Sequence, residues 1–459
     1  MSTIFLTVYD GDTEKVILQT GVLTRLIDAG HRIVLLVRGT DRLEYYRKTY
    51  DSELVSVEEL PIAMTRTERL WYHLGWNTLP TRSAYIRRRE RFENHQNYPR
   101  FTLESLLGFL GRFRLWREVL RLCYRLVPDA YCAEYFERYK PNLVFAPNMF
   151  SAEDMRMLRA AKRRGIKTVA TAKSWDVLTT KAFTRVRADR LLVFNEVNRE
   201  EAIHLGDYSP ERVIVTGFPQ FDLYTHNEWK DSRTEFCARL GLDASKKILL
   251  FAIPGNWKTP NTKDILAFLD EAIEKGRFKE PLQILARLHP KYPDSSEQEE
   301  YRHIILDRPG THFSDSREVS IDMNVAESFQ WTFTRGDVEH LANSLYWSEL
   351  IINTESTLTL DAAMLGKPTL LIGYDGNQKL PYWKSVKRVY EREHYRNVLA
   401  TGATPLVENN EQLFTTIEEF LAQPDRLASE RNVLVMKLLY SRDGKSAERM
   451  ANAILEVLP

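Results

Sequence analysis

The sequence predicts an α/β protein of two halves, each a doubly wound parallel sheet. Strand-like apolar runs alternate with amphipathic stretches from the first residues, and the alternation restarts near residue 247. Between the two runs, residues 224–242 are charged and helical in character. A chain of 459 residues is also long for one domain and ordinary for two. The expected division is 1–225 for the first domain, with a helical insertion at about 64–130, and 240–440 for the second. A terminal helix in 441–459 is free to pack back on the first domain.

Residues 3–9 (TIFLTVY) form a continuous apolar run, as in a strand covered on both faces. The turn Asp10-Gly11-Asp12-Thr13 follows, then an amphipathic helix over 16–29, closed by Gly30 and leading to a strand at 33–37. No GxGxxG follows the first strand, which argues against a dinucleotide site there. Residues 55–60 are a weaker strand. Beyond the insertion, strands are expected at 142–146, 167–172, 190–194 and 213–216, with helices at 155–164 and 198–205.

The second half opens with a strand at 247–252 that runs into a Gly-Asn-Trp loop ending at 257. A helix at 262–275 precedes a strand at 283–288, which delivers His289-Pro290 at its carboxyl end. Residues 292–330 read as a polar surface excursion with one edge strand, followed by a helix at 338–344. The central unit spans 350–375. The strand Leu350-Ile351-Ile352 meets the loop Asn353-Thr354-Glu355-Ser356, then a helix from Thr357 to the stop at Gly366, then a strand at 369–372. Hydroxyls and backbone N–H groups at such a helix start suit phosphate, although an ordinary βαβ unit with a capped helix gives the same pattern. Helices at 411–421, 424–439 and 446–458 complete the chain.

Composition narrows the function. The net charge is +1, so nothing global favours a nucleic-acid partner. Cys123, Cys132 and Cys237 have neither metal-ligand spacing nor even pairing, which favours a reducing, cytoplasmic setting. The first residues read as a strand and not a signal peptide, and no apolar run reaches about 20 residues. Residues 64–126 are rich in arginine with interleaved aromatics, and 106–126 read as one helix with a basic and an aromatic–aliphatic face. Such a segment packs on its domain with its arginines solvated, lies on an anionic membrane surface or, least favoured by the balanced total charge, is a nucleic-acid patch. Arg87, Arg88, Arg89 and Trp116 are the candidates for docking an acceptor or membrane.

Four motifs occur in a telling order: Ser174-Trp175-Asp176 with Thr180-Lys181, Val213 to Gly217 with Asp222, His289-Pro290, and Glu355-Ser356-Thr357 with Asp361-Ala362-Ala363. Over roughly 142–400 they resemble bacterial surface-polysaccharide transferases of the GT-B glycosyltransferase superfamily. That group includes the CDP-glycerol glycerophosphotransferases, the capsule Kdo transferases and the bacterial polysialyltransferases. The resemblance implies two Rossmann-like domains facing each other across a cleft. It also implies that His289 and the loop Glu355-Ser356-Thr357 hold the phosphates of a nucleotide-activated donor, and that Asp361 meets its nucleotide sugar. Ala182 departs from the glycine expected after Lys181.

The residues fit this chemistry on their own terms. Arg287 and His289 lie two apart on one strand, hence on one face at its carboxyl end, where they can neutralise a leaving phosphate. Preorganised donors of this kind can replace a metal ion, so neither metal nor cofactor is expected. A carboxylate must take the acceptor's proton; Asp10 and Asp12 rank first and Asp176 second. Asp10-Gly11-Asp12 is also a DxD triplet, but it is far in sequence from the phosphate motifs and reads more simply as a turn. The expectation is a metal-independent, cytoplasmic transferase, peripheral on the inner face of the plasma membrane. It would move a sugar or polyol-phosphate to a cell-surface polysaccharide or lipid-linked glycan. A nucleotide-sugar 2-epimerase of the same fold is the rival enzyme, and a catalytically silent glycan- or partner-binding protein is the rival from another class.

Overall fold

A computed structural model of the chain describes residues 1–9, 11–60, 64–254, 261–289, 301–312 and 331–459. They form two compact units. The first comprises Met1–Asp222, His312–Thr332 and Asp443–Pro459; the second comprises Leu223–Thr311 and Phe333–Arg442.

The first unit is built on a parallel sheet of β1 (Thr3–Val8), β2 (Arg32–Val37), β3 (Val55–Glu59), β4 (Leu143–Ala146), β5 (Lys167–Thr171), β6 (Arg190–Val193) and β7 (Val213–Val215). Their order is β3-β2-β1-β4-β5-β6-β7. Ile4, Phe5, Leu6 and Val8 are all fully buried, as the continuous apolar run requires. The helix expected over 16–29 is split into a π turn at Glu14–Leu18 and a helix at Gly21–Asp28. Glu14 anchors that split. Its buried carboxylate accepts hydroxyls from Tyr45 (2.9 Å), Tyr46 (2.7 Å) and Tyr50 (3.1 Å) and the Gln19 amide (3.3 Å). Burial, with Glu14 beside them, pushes the Tyr46 and Tyr50 hydroxyls up, so both stay protonated as donors.

The insertion is four helices: Arg66–Thr78, Arg82–His95, Tyr98–Leu110 and Arg114–Tyr124. The single helix expected over 106–126 breaks at Gly111, where a Cβ would lie 1.6 Å from the Thr78 carbonyl oxygen. Only glycine permits that approach. Of the arginines expected to be solvated, Arg88, Arg117 and Arg121 turn inward, while Arg66, Arg69, Arg100, Arg112, Arg114 and Arg125 are exposed. Arg117 and Arg121, 6% and 3% exposed, converge on Asp207. Arg117 donates to it at 2.6 and 2.8 Å, and Arg121 reaches it at 2.7 Å. Arg156, buried to 1%, donates to Glu68 at 2.9 and 3.0 Å.

The C-terminal helix Ser446–Leu455 belongs to this unit. Asp222 caps its start, accepting the N–H groups of Ser446 (3.1 Å) and Ala447 (2.7 Å). Arg449 donates to the Thr216 carbonyl at 2.8 Å. Gly217 sits at φ +80°, and a Cβ there would lie 2.5 Å from the Ser446 hydroxyl. Thr216, Gly217 and Asp222, from the motif Val213 to Gly217 with Asp222, are thus the seat of the last helix.

The second unit repeats the winding. Its strands are β8 (Lys247–Ala252), β9 (Leu282–Arg287), β10 (Ile304–Asp307), β11 (Leu350–Asn353), β12 (Thr369–Ile372) and β13 (Leu406–Val407). They run parallel in the order β10-β9-β8-β11-β12-β13. The expected excursion at 292–330 contributes β10 at the sheet edge; its residues 292–300 and 313–330 lie outside the described residues, as do 255–257 of the Gly-Asn-Trp loop. Arg287 ends β9 opposite Asp307 of β10, and the two form a buried ion pair. His340 meets the other Asp307 oxygen at 2.9 Å. Burial alone would raise the Asp307 carboxyl, but Arg287 and His340 outweigh it and hold it below the usual carboxylate range.

Two predictions follow from these buried charges. Asp207→Ala strands two guanidinium groups and should cost about 3–5 kcal/mol in urea unfolding. Because the Asp307 carboxyl is depressed on folding, its stabilisation is complete above the unfolded value of about 4 and lost as pH falls through the folded value. Melting temperature plotted from neutral to acid pH should therefore fall less steeply for Asp307→Asn than for the wild type; parallel curves would refute the linkage.

Candidate active site

In each sheet the strand order reverses beside its first strand, between β1 and β4 in one unit and between β8 and β11 in the other. Loops at the carboxyl ends of such switch points bound the crevices in which ligands bind.

In the first unit, the turn after β1 carries Asp12, and the loop after β5 carries Lys173 and Asp176. Lys173 Nζ lies 2.6 Å from Asp12 Oδ2. Asp176 Oδ2 accepts the Thr180 hydroxyl at 3.0 Å. The insertion adds two residues. The Arg87 guanidinium lies 4.3 Å from the Trp76 ring centre and donates to the carbonyls of Trp76 (2.7 Å) and Thr180. Lys181 Nζ is 5.7 Å from the same ring. The Lys181 side chain is exposed, with Asp176, Lys173, Arg87 and Asp12 as its charged neighbours. The cluster therefore holds two carboxylates among three cations, a balance that suits an anionic ligand. Asp10 lies outside the described residues. Trp175 is buried, with its carbonyl accepting the Asn198 amide at 2.7 Å. Sequence reasoning placed Lys181 in a motif without a role and missed Lys173 and Trp76 as site residues; position just past a strand end was the available signal for Lys173.

In the second unit, the Thr354 to Thr357 loop is held by one short segment, Tyr390 to Tyr395. The Tyr390 hydroxyl bonds the carbonyls of Thr354 (2.6 Å) and Ile372, tying together the ends of β11 and β12. The Tyr395 hydroxyl accepts the Ser356 N–H and donates to the Ser356 carbonyl at 3.0 Å. Arg392 pairs with Glu355, and His394 lies 3.6 Å from it. The Ser356 hydroxyl accepts the Leu358 N–H at 3.2 Å, and the helix begins at Leu358. None of the 390–395 residues stood out in the sequence, because their role is visible only once β11 and β12 are adjacent. The adjoining ends of β12 and β13 open a cavity of about 710 Å³ whose lining includes Tyr374, Asp375, Lys379, Lys387 and Asn409.

Three expectations need correction. Arg287 and His289 do not present a matched pair: His289 is exposed at the strand end, whereas Arg287 is 4% exposed and committed to Asp307. The reason is register, since β10 sets a carboxylate directly opposite Arg287. Asp361 is 1% exposed and accepts the Tyr224 hydroxyl at 2.6 Å, so that oxygen braces the fold. The third concerns Arg87, Arg88 and Arg89, which do not form an open docking patch. Arg87 joins the Asp176 turn; Arg88 is 5% exposed and donates to the carbonyls of Asn77 (3.3 Å) and Leu79 (3.4 Å). Arg89 pairs with Glu93 at 2.7 Å and lies over Phe92. Successive helical residues point in different directions, and here most of those directions are inward. Trp116 is half-buried.

Comparison with known proteins places this geometry. The fold is similar to UDP-GlcNAc 2-epimerase from Neisseria meningitidis bound to UDP-GlcNAc, with TM-score 0.57 and 13% identity over 99% of this chain and 100% of the other. It is similar to a glycosyltransferase from Rickettsia africae at TM-score 0.52 and 11% identity, covering 99% of both chains. The wall teichoic acid polymerase TagF gives TM-score 0.52 and 12% identity over 99% of this chain and 88% of its own. Identities this low establish the GT-B fold and nothing finer. No curated protein matches the sequence. Residues 170–456, more than half of the chain, match the family described as CDP-glycerol:poly(glycerophosphate) glycerophosphotransferase. The protein belongs to that family of nucleotide-donor-dependent transferases.

Proposed function

We propose that this protein transfers a glycosyl or polyol-phosphate unit from a nucleotide-activated donor to a hydroxyl of a cell-surface polysaccharide or lipid-linked glycan, without a metal ion. The observation that carries this reading is the braced Glu355-Ser356-Thr357 loop at the β8/β11 switch point, inside the family-matched region. The 710 Å³ cavity at the adjoining strand ends supplies room for the nucleotide, with Lys379 and Lys387 in its wall. His289 serves the leaving phosphate, together with the hydroxyls of Ser356 and Thr357. In the other unit, Asp12 or Asp176 takes the proton of the acceptor hydroxyl as its oxygen bonds to the transferred group and the bond to the nucleotide phosphate breaks. Lys173, Lys181 and Arg87 hold an anionic acceptor in place. A cytoplasmic location is part of the reading, and three free cysteines support it. The 2-epimerase alternative is favoured by similarity of fold alone, at 13% identity.

Two experiments test it. In a thermal-shift panel of CMP, CDP, UDP, GDP, dTDP and ADP, with Mg²⁺ or with EDTA, CDP should raise the melting temperature equally in both conditions. At about a hundred times its Kd it should add about 2.7 kcal/mol. His289→Ala should weaken CDP about tenfold, or 1.4 kcal/mol; unchanged affinity would remove His289 from the donor site. For the base, Asp12→Asn and Asp176→Asn are compared by kcat on a nucleotide-activated donor. One of them should lose about 10²–10⁴-fold while its CDP affinity stays constant, and two fully active variants would place the base elsewhere.

A further inference from the structure

The helices Arg82–His95 and Tyr98–Leu110 of the insertion form a hairpin. Gln96 ends the first in the left-handed conformation at φ 50°, and the Asn97 side chain starts the second by accepting the Arg100 N–H at 3.0 Å. Gly108 admits the Arg88 side chain between the helices, since a Cβ there would lie 2.7 Å from its guanidinium. Between that contact and the turn lies a cavity of about 290 Å³. It is separate from the strand-end cluster. Arg87 reaches the Thr180 carbonyl from the first of these helices, and His95, in the cavity wall, lies about 12 Å further along the helix axis. The cavity also lies ahead of the family-matched residues 170–456, so the match does not account for it.

The cavity wall is cationic. Arg88, Arg91 and Arg100 line it against one carboxylate, Glu104. Arg91 (2.6 Å) and Arg100 (2.8 Å) both donate to the same oxygen, Glu104 Oε1. The Glu104 side chain is 7% exposed, against 25% and 48% for Arg91 and Arg100. The carboxylate therefore sits beneath the two guanidinium groups and holds them together. Each spends one N–H on it, and no other side-chain hydrogen bond of either is found among the described residues. Most of their donors are left for a ligand. Phe92 and Phe101, with ring centres 4.8 Å apart, supply the apolar part of the wall. Two planar forks fixed on one carboxylate suit phosphate oxygens, and ring faces beside them suit a short carbon chain.

We propose that this cavity binds a phosphate ester, its phosphate on Arg91 and Arg100 and its carbon chain against Phe92 and Phe101, with Glu104 positioning both arginines. This stands on the cavity alone and is independent of the donor and acceptor assignments. A free phosphomonoester and a phosphodiester unit of a polymer offer the same chemistry, and the test separates them.

The test is isothermal titration calorimetry of the full chain with inorganic phosphate, glycerol 3-phosphate and the diester glycerophosphoglycerol, each with and without excess CDP. At least one ester should bind more tightly than inorganic phosphate, and equally well when CDP is present. Diester binding at least as tight as that of the monoester assigns the cavity to a polymer unit; binding of the monoester alone assigns it to a free metabolite. Arg100→Gln, at a half-exposed side chain, should keep the wild-type melting temperature and weaken the ester about tenfold. Glu104→Gln should weaken it too. Combined with Arg100→Gln it should lose less than the product of the two single losses, because both changes act through one guanidinium. No heat with either ester, a signal that CDP abolishes, inorganic phosphate binding as tightly as the esters, or an affinity unchanged in Arg100→Gln would overturn the proposal. Independent losses in the double variant would remove Glu104 from its positioning role.

Discussion

A charge buried in a protein has to be paired, and one such pairing organises the first unit. Asp207, in the left-handed conformation at φ 56° that ends the Glu196–Gly206 helix, takes the guanidinium groups of both Arg117 and Arg121. Without those partners the carboxylate would be costly to bury, and without it the arginines would turn to solvent. Once both arginines point inward, the aliphatic side of their helix has nowhere to go but outward. The same ion pairs join a helix of the insertion to one that flanks β6 and β7. The exposed leucine face is thus a consequence of where two positive charges are neutralised.

The same constraint separates site residues from bracing residues in the second unit. Arg287 faces a carboxylate in the neighbouring strand, so its charge is balanced inside the sheet edge. Glu355 is balanced by Arg392, and Asp361 by the Tyr224 hydroxyl, which burial and that carboxylate both keep protonated. Pairing fixes position. A loop whose acid, amide and carbonyl are all held by the 390–395 segment is fixed in one geometry. His289, beyond the end of β9, is the exposed member of the expected donor set.

Strand positions were legible in the sequence because parallel strands covered on both faces must be continuous apolar runs, as 3–9, 33–37 and 247–252 are. The winding followed from their alternation with helices. What could not be read was which face of an amphipathic segment turns inward. Periodicity defines two faces of the 114–124 helix, but the partner that decides between them, Asp207, lies 90 residues beyond Arg117. The helix break at Gly111 was hidden for a similar reason, since it answers to the carbonyl of Thr78 on another helix. The buried Glu14, ringed by tyrosines from the 40–50 helix, is a third case: nothing local distinguishes it from a solvated acid at a helix start.

The two strand edges also differ in a way that assigns them different chemistry. At the β11 edge Glu355 is matched by Arg392 with His394 nearby, and Asp361 by the Tyr224 hydroxyl. At the β1/β5 edge three cations surround two carboxylates. The first kind of edge suits a group whose charge must be accommodated as it departs. The second suits a ligand that arrives already anionic, because its charge completes the pairing and competes with Asp12 for Lys173. Asp12 would share Lys173 with such a ligand, and Asp176 stands beside Lys181 as well as the Thr180 hydroxyl.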